Sequence, residues 1–232
     1  VLSSEKISVG PPFYHKLIVP FLIPFLIFMS IGPNLNWIKS EVKKIRIQII
    51  LLFIISLLMS FLILRKNGSI SLINTILIPA AFYLFFITIK DFFSKKFKNY
   101  PQKISHFGFS LLILSILLNS IFSSEVITNL EVGEKFSFKE GSITFESVKN
   151  TESKNYRSII GYFKIEDNKK NSIKLKPELR IYDQPVTITS EADIKTTLYA
   201  DKFLVMNLIK DNEYFNVRYQ VKPFMIWIWI ST

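Results

Sequence analysis

The chain contains no cysteine. That excludes disulfides, thiolate metal sites and attachment of a prosthetic group through a Cys-x-x-Cys-His sequence. Histidine is nearly as scarce, with only His15 and His106. No paired-histidine metal motif and no Ser/His/Asp set can be built from so few. Glycine occupies 7 of 232 positions, with no glycine-rich phosphate loop. Acidic residues are missing from long stretches: only 3 of the 18 Asp and Glu fall outside residues 123–222, against 13 of the 29 Lys and Arg. Almost all of the net charge of +11 therefore sits outside that segment, mostly in short loops between apolar runs. Basic residues clustered at the ends of apolar spans follow the positive-inside rule. With no recognition motif and no basic helix face, nucleic-acid binding is not expected.

What is present divides the chain in two. From Lys16 to Phe122 it is a series of apolar runs; from Ser123 to Lys222 it is polar and punctuated. Spans are expected at Leu17–Ile31, Ile47–Leu64, Leu72–Ile89 and Phe107–Phe122. Each approaches the roughly 20 residues that cross about 30 Å of hydrocarbon. Val1–Tyr14 reads as a polar segment ending in a turn. Pro20 and Pro24 in the first span and Pro79 in the third each remove a backbone donor. The first interspan loop carries Lys39, Lys43, Lys44 and Arg46, and the third carries Lys90, Lys95, Lys96, Lys98 and Lys103. The second has only Arg65 and Lys66. This bias puts the first and third loops inside and residues 123–222 outside. The expected fold class is a polytopic α-helical membrane protein with a β-rich extracytoplasmic domain, a small barrel or sandwich. Its parts are four transmembrane helices in residues 1–122, the β-rich domain in 123–222, and the start of a further span in 223–232. Val1 is not a start residue and Trp227–Ile230 reads as the beginning of a span, so the sequence is expected to be open at both ends.

Within the polar segment, β-branched and aromatic runs predict strands at Phe136–Phe138, Ile143–Val148, Ile159–Ile165, Ile173–Leu175, Leu179–Tyr182, Val186–Ile188 and Phe215–Val221. Turns are expected at Glu140-Gly141, Asp167–Asn171 and Lys210–Asn212. Asp193–Leu208 fits a helix or a strand equally. Charges gather at Pro177-Glu178-Leu179-Arg180 and Thr189–Asp193, which read as a solvated strand edge and a capped turn. Glu191 and Asp193 would share a face of a strand, but no nearby pattern supports hydrolysis.

His106 stands where a lysine-rich stretch gives way to an apolar run. An ionisable group at the mouth of a membrane helix is a functional candidate, and imidazole is a frequent metal ligand. Read alone, it is either an interfacial histidine bonded to headgroups or water, or a cofactor ligand or proton-handling group. On a helix it shares a face with Ser110, Ile113 and Leu117. Gly108, Ser115 and Asn119 would admit a close helix neighbour. His15 is expected at the opposite membrane level, about 30 Å away. Both cannot then ligate one metal at about 2 Å. It is read as an interfacial residue.

Several motifs recur in a fixed order. Ile7-Ser8-Val9-Gly10-Pro11-Pro12-Phe13 opens a span and Ile31-Gly32-Pro33 closes it; Ser105-His106-Phe107-Gly108 opens a later one. Leu175-Lys176-Pro177-Glu178-Leu179-Arg180-Ile181-Tyr182 follows, then Thr189-Ser190-Glu191-Ala192-Asp193-Ile194. Arg218, Lys222-Pro223-Phe224 and Trp227-Ile228-Trp229 complete the set. In this order they resemble the C-terminal part of the CcmF/NrfE family of cytochrome c-type biogenesis proteins, the haem lyase subunits, over nearly the whole chain. Ser153-Lys154-Asn155-Tyr156 matches that family's more glycine-rich turn only loosely. The resemblance implies a protein of the bacterial or mitochondrial inner membrane. It would take haem from a haem chaperone and, with other cytochrome c maturation subunits, help attach it to apocytochrome c. It also implies a b-type haem held by two histidines on separate helices. His106 matches one of these axial ligands; the second lies outside this sequence, as do the tryptophan-rich segment and its flanking histidines. This stretch alone is accordingly expected to be inactive as a lyase. A reading from another class is a transporter permease or sensor with a large outer domain and no haem.

Overall fold

The computed structural model describes residues 11–32, 42–67, 72–93, 100–168, 171–209 and 214–232. The chain divides into two compact units, Val1–Leu117 with Trp227–Thr232, and Leu118–Ile226. Five helices are present among the described residues: α1 (Pro11–Ile31), α2 (Val42–Asn67), α3 (Leu72–Phe92), α4 (Tyr100–Phe122) and α5 (Met225–Ser231). Helices extend beyond the apolar runs that announce them. The α1 helix begins at Pro11-Pro12, inside the segment expected to be a turn. Proline is well suited to a first helical turn, where its missing N–H has no partner to lose. The α4 helix starts at Tyr100-Pro101 for the same reason and runs through Gln102 and Lys103, both good helix formers. His106 is thus almost two turns inside a helix and not at its mouth. Pro20, Pro24 and Pro79 lie inside helices as expected.

Two of these helices, over Thr75–Phe92 and Tyr100–Phe122, are long and apolar enough to cross a bilayer. Leu17–Ile31 and Ile50–Arg65 are shorter apolar stretches. In the helical unit, Val19 and Leu26 of α1 pack with Leu77, Ala80 and Leu84 of α3, and Phe109, Ile113 and Leu117 of α4 close over them. The α2 helix meets α3 through an edge-on contact of Phe53 with Tyr83, ring centroids 5.8 Å apart.

The second unit is a sandwich of two antiparallel sheets. One has the order β1-β10-β9-β8, from Ser124–Leu130, Phe215–Pro223, Ala200–Leu208 and Asp193–Thr196. The other has the order β2-β3-β4-β6-β7, from Lys135–Phe138, Gly141–Glu152, Tyr156–Asp167, Glu178–Asp183 and Val186–Glu191. A further strand, β5 (Ser172–Leu175), pairs with the second half of β4, and β6 pairs with its first half. The break between β5 and β6 falls at Pro177, whose carbonyl accepts from Gly161 N at 3.0 Å. A Cβ added at Gly161 would come 2.6 Å from Phe163 Cε2 and 2.7 Å from Met206 Sδ, so these core side chains would have to shift. Inward residues of both sheets form one core, including Leu130, Leu204, Met206 and Val217 from the first and Ile143, Phe145, Phe163 and Leu179 from the second. Phe145 and Phe163 stack with centroids 4.2 Å apart.

Every strand expected from the sequence is found, and each is longer than expected. The undecided segment Asp193–Leu208 is two strands joined by a tight turn. β1 carries no strand expectation, although its burial alternates along Ser124–Leu130. The turn at Glu140-Gly141 joins β2 to β3; Lys210–Asn212 lies outside the described residues.

Charged rungs decorate the sandwich. Gln220 Nε2 donates to Glu125 at 2.8 Å and Arg218 pairs with the same carboxylate. Lys164 pairs with Glu166 at 2.7 Å and Arg180 with Glu178 at 3.0 Å. These donors hold all three carboxyls below their usual value of 4.5. A carboxyl whose folded value lies below its unfolded one adds stability above about pH 4.5, and that stability goes as pH falls through the folded value. The melting temperature of the sandwich is therefore expected to be level from pH 7 to about 5 and to drop below that. Glu178→Gln should make that drop shallower in a melting series; an unchanged acid limb would contradict the assignment.

Candidate functional site

The α4 helix carries its apolar and small residues on distinct faces. At 100° per residue, His106 points between two packed stripes, Ser110 and Leu114 on one side and Phe109 and Ile113 on the other. Phe107 stacks with Phe85 at 6.0 Å and meets Phe92 at 5.6 Å. Thr88 Oγ1 and Ser110 Oγ share a buried hydrogen bond of 2.7 Å. Lys103 Nζ donates to the Asp91 carbonyl at 2.9 Å. These contacts seat α4 antiparallel on α3. On the other side, Phe25 of α1 meets Phe109 edge-on at 5.9 Å. The His106 imidazole is therefore half-buried on the packing face of its helix. No described residue hydrogen-bonds to it.

The opposite face of α4 is the small one, and α5 uses it. Gly108 lies against the end of α5: a Cβ there would come 2.8 Å from the Ser231 carbonyl oxygen. Asn119 Nδ2 donates to the Pro223 carbonyl at 2.6 Å. Of Gly108, Ser115 and Asn119, expected to admit a close helix neighbour, Gly108 meets α5, while Asn119 bonds the end of β10. Gly108→Val is expected to push α5 from α4. A cross-link between cysteines placed on the two helices should form in the parent and be lost in the variant.

His15 lies in the first turns of α1, ten residues before Phe25, about 15 Å along the helix axis. The α1–α4 contact at Phe25 and Phe109 thus falls well away from it. Among the described residues no group of three or more His, Asp or Glu could hold a metal ion. An apolar groove of about 460 Å³ runs between α1, α2 and α3, lined by Ile27, Phe53, Leu57, Pro79 and Tyr83. His106 does not line it.

The charged segments of the sandwich form a structural rung. Glu178 and Glu191 lie opposite each other on β6 and β7. Arg180 reaches Glu178 at 3.0 Å and Glu191 at 3.9 Å, and its guanidinium sits 5.0 Å from the centre of the Tyr156 ring. Glu191 ends β7 while Asp193 begins β8 in the other sheet, so they do not share a strand face. Asp193 Oδ2 instead accepts from the Lys176 amide at 2.6 Å. The two carboxylates are not a catalytic pair.

The His106 imidazole therefore offers one half-buried nitrogen donor on the face of α4 between its contacts with α3 and α1.

Comparison with known proteins locates both units. The family described as CcmF C-terminal beta-sandwich matches residues 121–223. The Pseudomonas fluorescens cytochrome c-type biogenesis protein CcmF is 27% identical over 99% of this chain and 37% of its own length. The Escherichia coli K12 CcmF is 25% identical over 98% of this chain and 36% of its own. A probable NrfE from the same strain is 24% identical over 62% of this chain. The chain thus spans a little over a third of the length of the curated CcmF relatives it matches. A solved structure of a cytochrome c haem lyase CcmF superposes with a TM-score of 0.73 at 18% identity, over 96% of this chain and 38% of that one. That likeness fixes the fold.

Proposed function

We propose, from the premise that the chain belongs to the CcmF family of cytochrome c-type biogenesis proteins, that it forms part of a membrane haem lyase in cytochrome c maturation. The observation that carries the reading is similarity to CcmF proteins along 98% or more of the chain, through both helices and sandwich. On this reading α1 to α4 span a bacterial inner membrane, or a mitochondrial one, and α5 begins a further span. Residues 123–222 stand on the periplasmic or intermembrane-space side. The apolar helices and the basic loops support that placement. Haem arrives from a haem chaperone and is joined to apocytochrome c with the help of other maturation subunits.

His106 is the residue of this chain that would hold a b-type haem, as one axial ligand, with the other supplied from outside the chain. Bound there, such a group would supply one-electron chemistry. The chain's own part would be to present the imidazole from a helix that is held against α3 at Phe107 and Ser110. The permease or sensor reading loses support from the relatives, whose names are those of cytochrome c biogenesis proteins. Purified in detergent and reduced, the full-length protein is expected to be red with a b-type haem spectrum. A colourless protein that regains no spectrum on incubation with haem would favour the permease or sensor.

A further inference from the structure

The turn between β8 and β9 has an unusual composition for its geometry. Thr197 and Ala200 close it: Thr197 N donates to the Ala200 carbonyl at 3.1 Å, and Ala200 N donates back to Thr197 Oγ1 at 3.1 Å. The two residues at the tip are Leu198 and Tyr199, 61% and 82% exposed. Tight turns favour Gly, Asn, Asp, Pro or Ser. A leucine and a tyrosine held out together from a rigid tip leave apolar surface in water at a cost that neither strand recovers.

Sheet register says where this tip lies. Ala200 pairs with Pro223 and Asp201 with Lys222, so the tip is level with the point where β10 passes into α5. Ser124 pairs with Val221, so the end of α4 enters the sheet at the same edge. The Tyr199 carbonyl accepts from Phe224 N at 2.9 Å, which ties the tip to the start of α5. Phe224 holds a φ of 62° in making this link, a left-handed conformation that disfavours a bulky residue. Lys195, Lys202 and Lys222 stand a few residues back on three adjacent strands, with Lys195 opposite Lys202.

We propose that the Leu198-Tyr199 tip is a membrane-interface anchor of the sandwich, inserting into the headgroup layer of a glycerophospholipid leaflet. The inference rests on the reading of α4 as a membrane span. Tyrosine is enriched at the headgroup level, where its ring is buried and its hydroxyl stays wet. The lysines behind it suit lipid phosphates.

The test places a polarity-sensitive fluorophore on the full-length protein in phosphatidylcholine–phosphatidylglycerol nanodiscs, with and without spin-labelled lipid as quencher. The label goes on Leu198→Cys, on Ile116→Cys in α4, and on Val186→Cys in the β6–β7 turn. Ile116 and Val186 are exposed residues, at 46% and 80%. This chain brings no cysteine of its own. Unchanged melting temperatures show that each labelled protein is folded. Blue-shifted emission with several-fold stronger lipid quenching at 198 than at 186, alongside quenching at 116, is the expected result. Quenching at 116 with position 198 no different from 186 overturns the anchor and leaves the span intact. No quenching at 116 removes the span reading and the anchor with it. A blue shift at 198 without lipid quenching means that protein covers the tip, and overturns the anchor.

Discussion

His106→Ala in the full-length protein is expected to abolish the reduced b-haem absorbance while leaving the protein folded and in the membrane. Loss of an outer-shell partner of a metal ligand already costs roughly 10–100-fold in affinity. Removing an axial ligand itself should exceed that, so most of the haem should be lost in purification. The fold should survive. The imidazole is only half-buried and makes no hydrogen bond to a described residue, so truncating it opens little cavity. The Thr88–Ser110 bond and the Phe107 contacts that seat α4 are untouched. Restoring the lost donor from solution gives a second readout. Free imidazole added to the variant with haem should restore part of the low-spin spectrum, as it would not if His106 only steadied the helix.

Phe145→Ala is expected to destabilise the sandwich by about 3–5 kcal/mol, the range for removing a buried phenylalanine. Phe145 is 0% exposed and Phe163 is 1% exposed. Their rings stack at 4.2 Å, and Phe215 meets Phe145 edge-on at 5.4 Å. One truncation therefore strips contacts from β3, β4 and β10 together, joining both sheets. Against a typical total of roughly 5–15 kcal/mol for a domain, that is about a fifth of the stability or more. Thermal melting or pulse proteolysis of the purified protein checks it. Arg157→Ala is the control, because its pair with Asp183 is 61% and 65% exposed and should contribute little that can be measured. Equal effects of the two changes would contradict the core as described.

Sequence alone reads the apolar and β-rich halves correctly because hydrophobic runs and period-two alternation are strong signals. It misplaces their edges. The α4 helix runs six residues before His106, since Tyr100, Pro101, Gln102 and Lys103 are polar or turn-like by type yet suit a helix start. Asp193–Leu208 stays ambiguous because its Thr197–Ala200 turn has no glycine, asparagine or proline to announce it. The same absence hides the Leu198-Tyr199 tip. β1 is missed because its neighbour in the sheet, β10, lies some ninety residues away in sequence, and local pattern carries no register. Of the site, the candidate ligand is legible, and the face it shares with Ser110 and Ile113 follows from helical spacing. What packs on that face is not legible: the phenylalanines of α3 reach it only through tertiary contact. The Glu191–Asp193 pair shows the converse, since two residues apart means one strand face only while the strand continues, and here the chain changes sheets at Ala192.

Iron coordination is the point at which the reading is most exposed. A cryo-electron microscopy map of the intact, haem-loaded protein is predicted to show a porphyrin beside α4, with a His106 nitrogen about 2 Å from its iron and a second donor that this chain does not supply. A map in which that imidazole faces lipid or another side chain, with the porphyrin elsewhere or missing from a spectroscopically loaded sample, would contradict it.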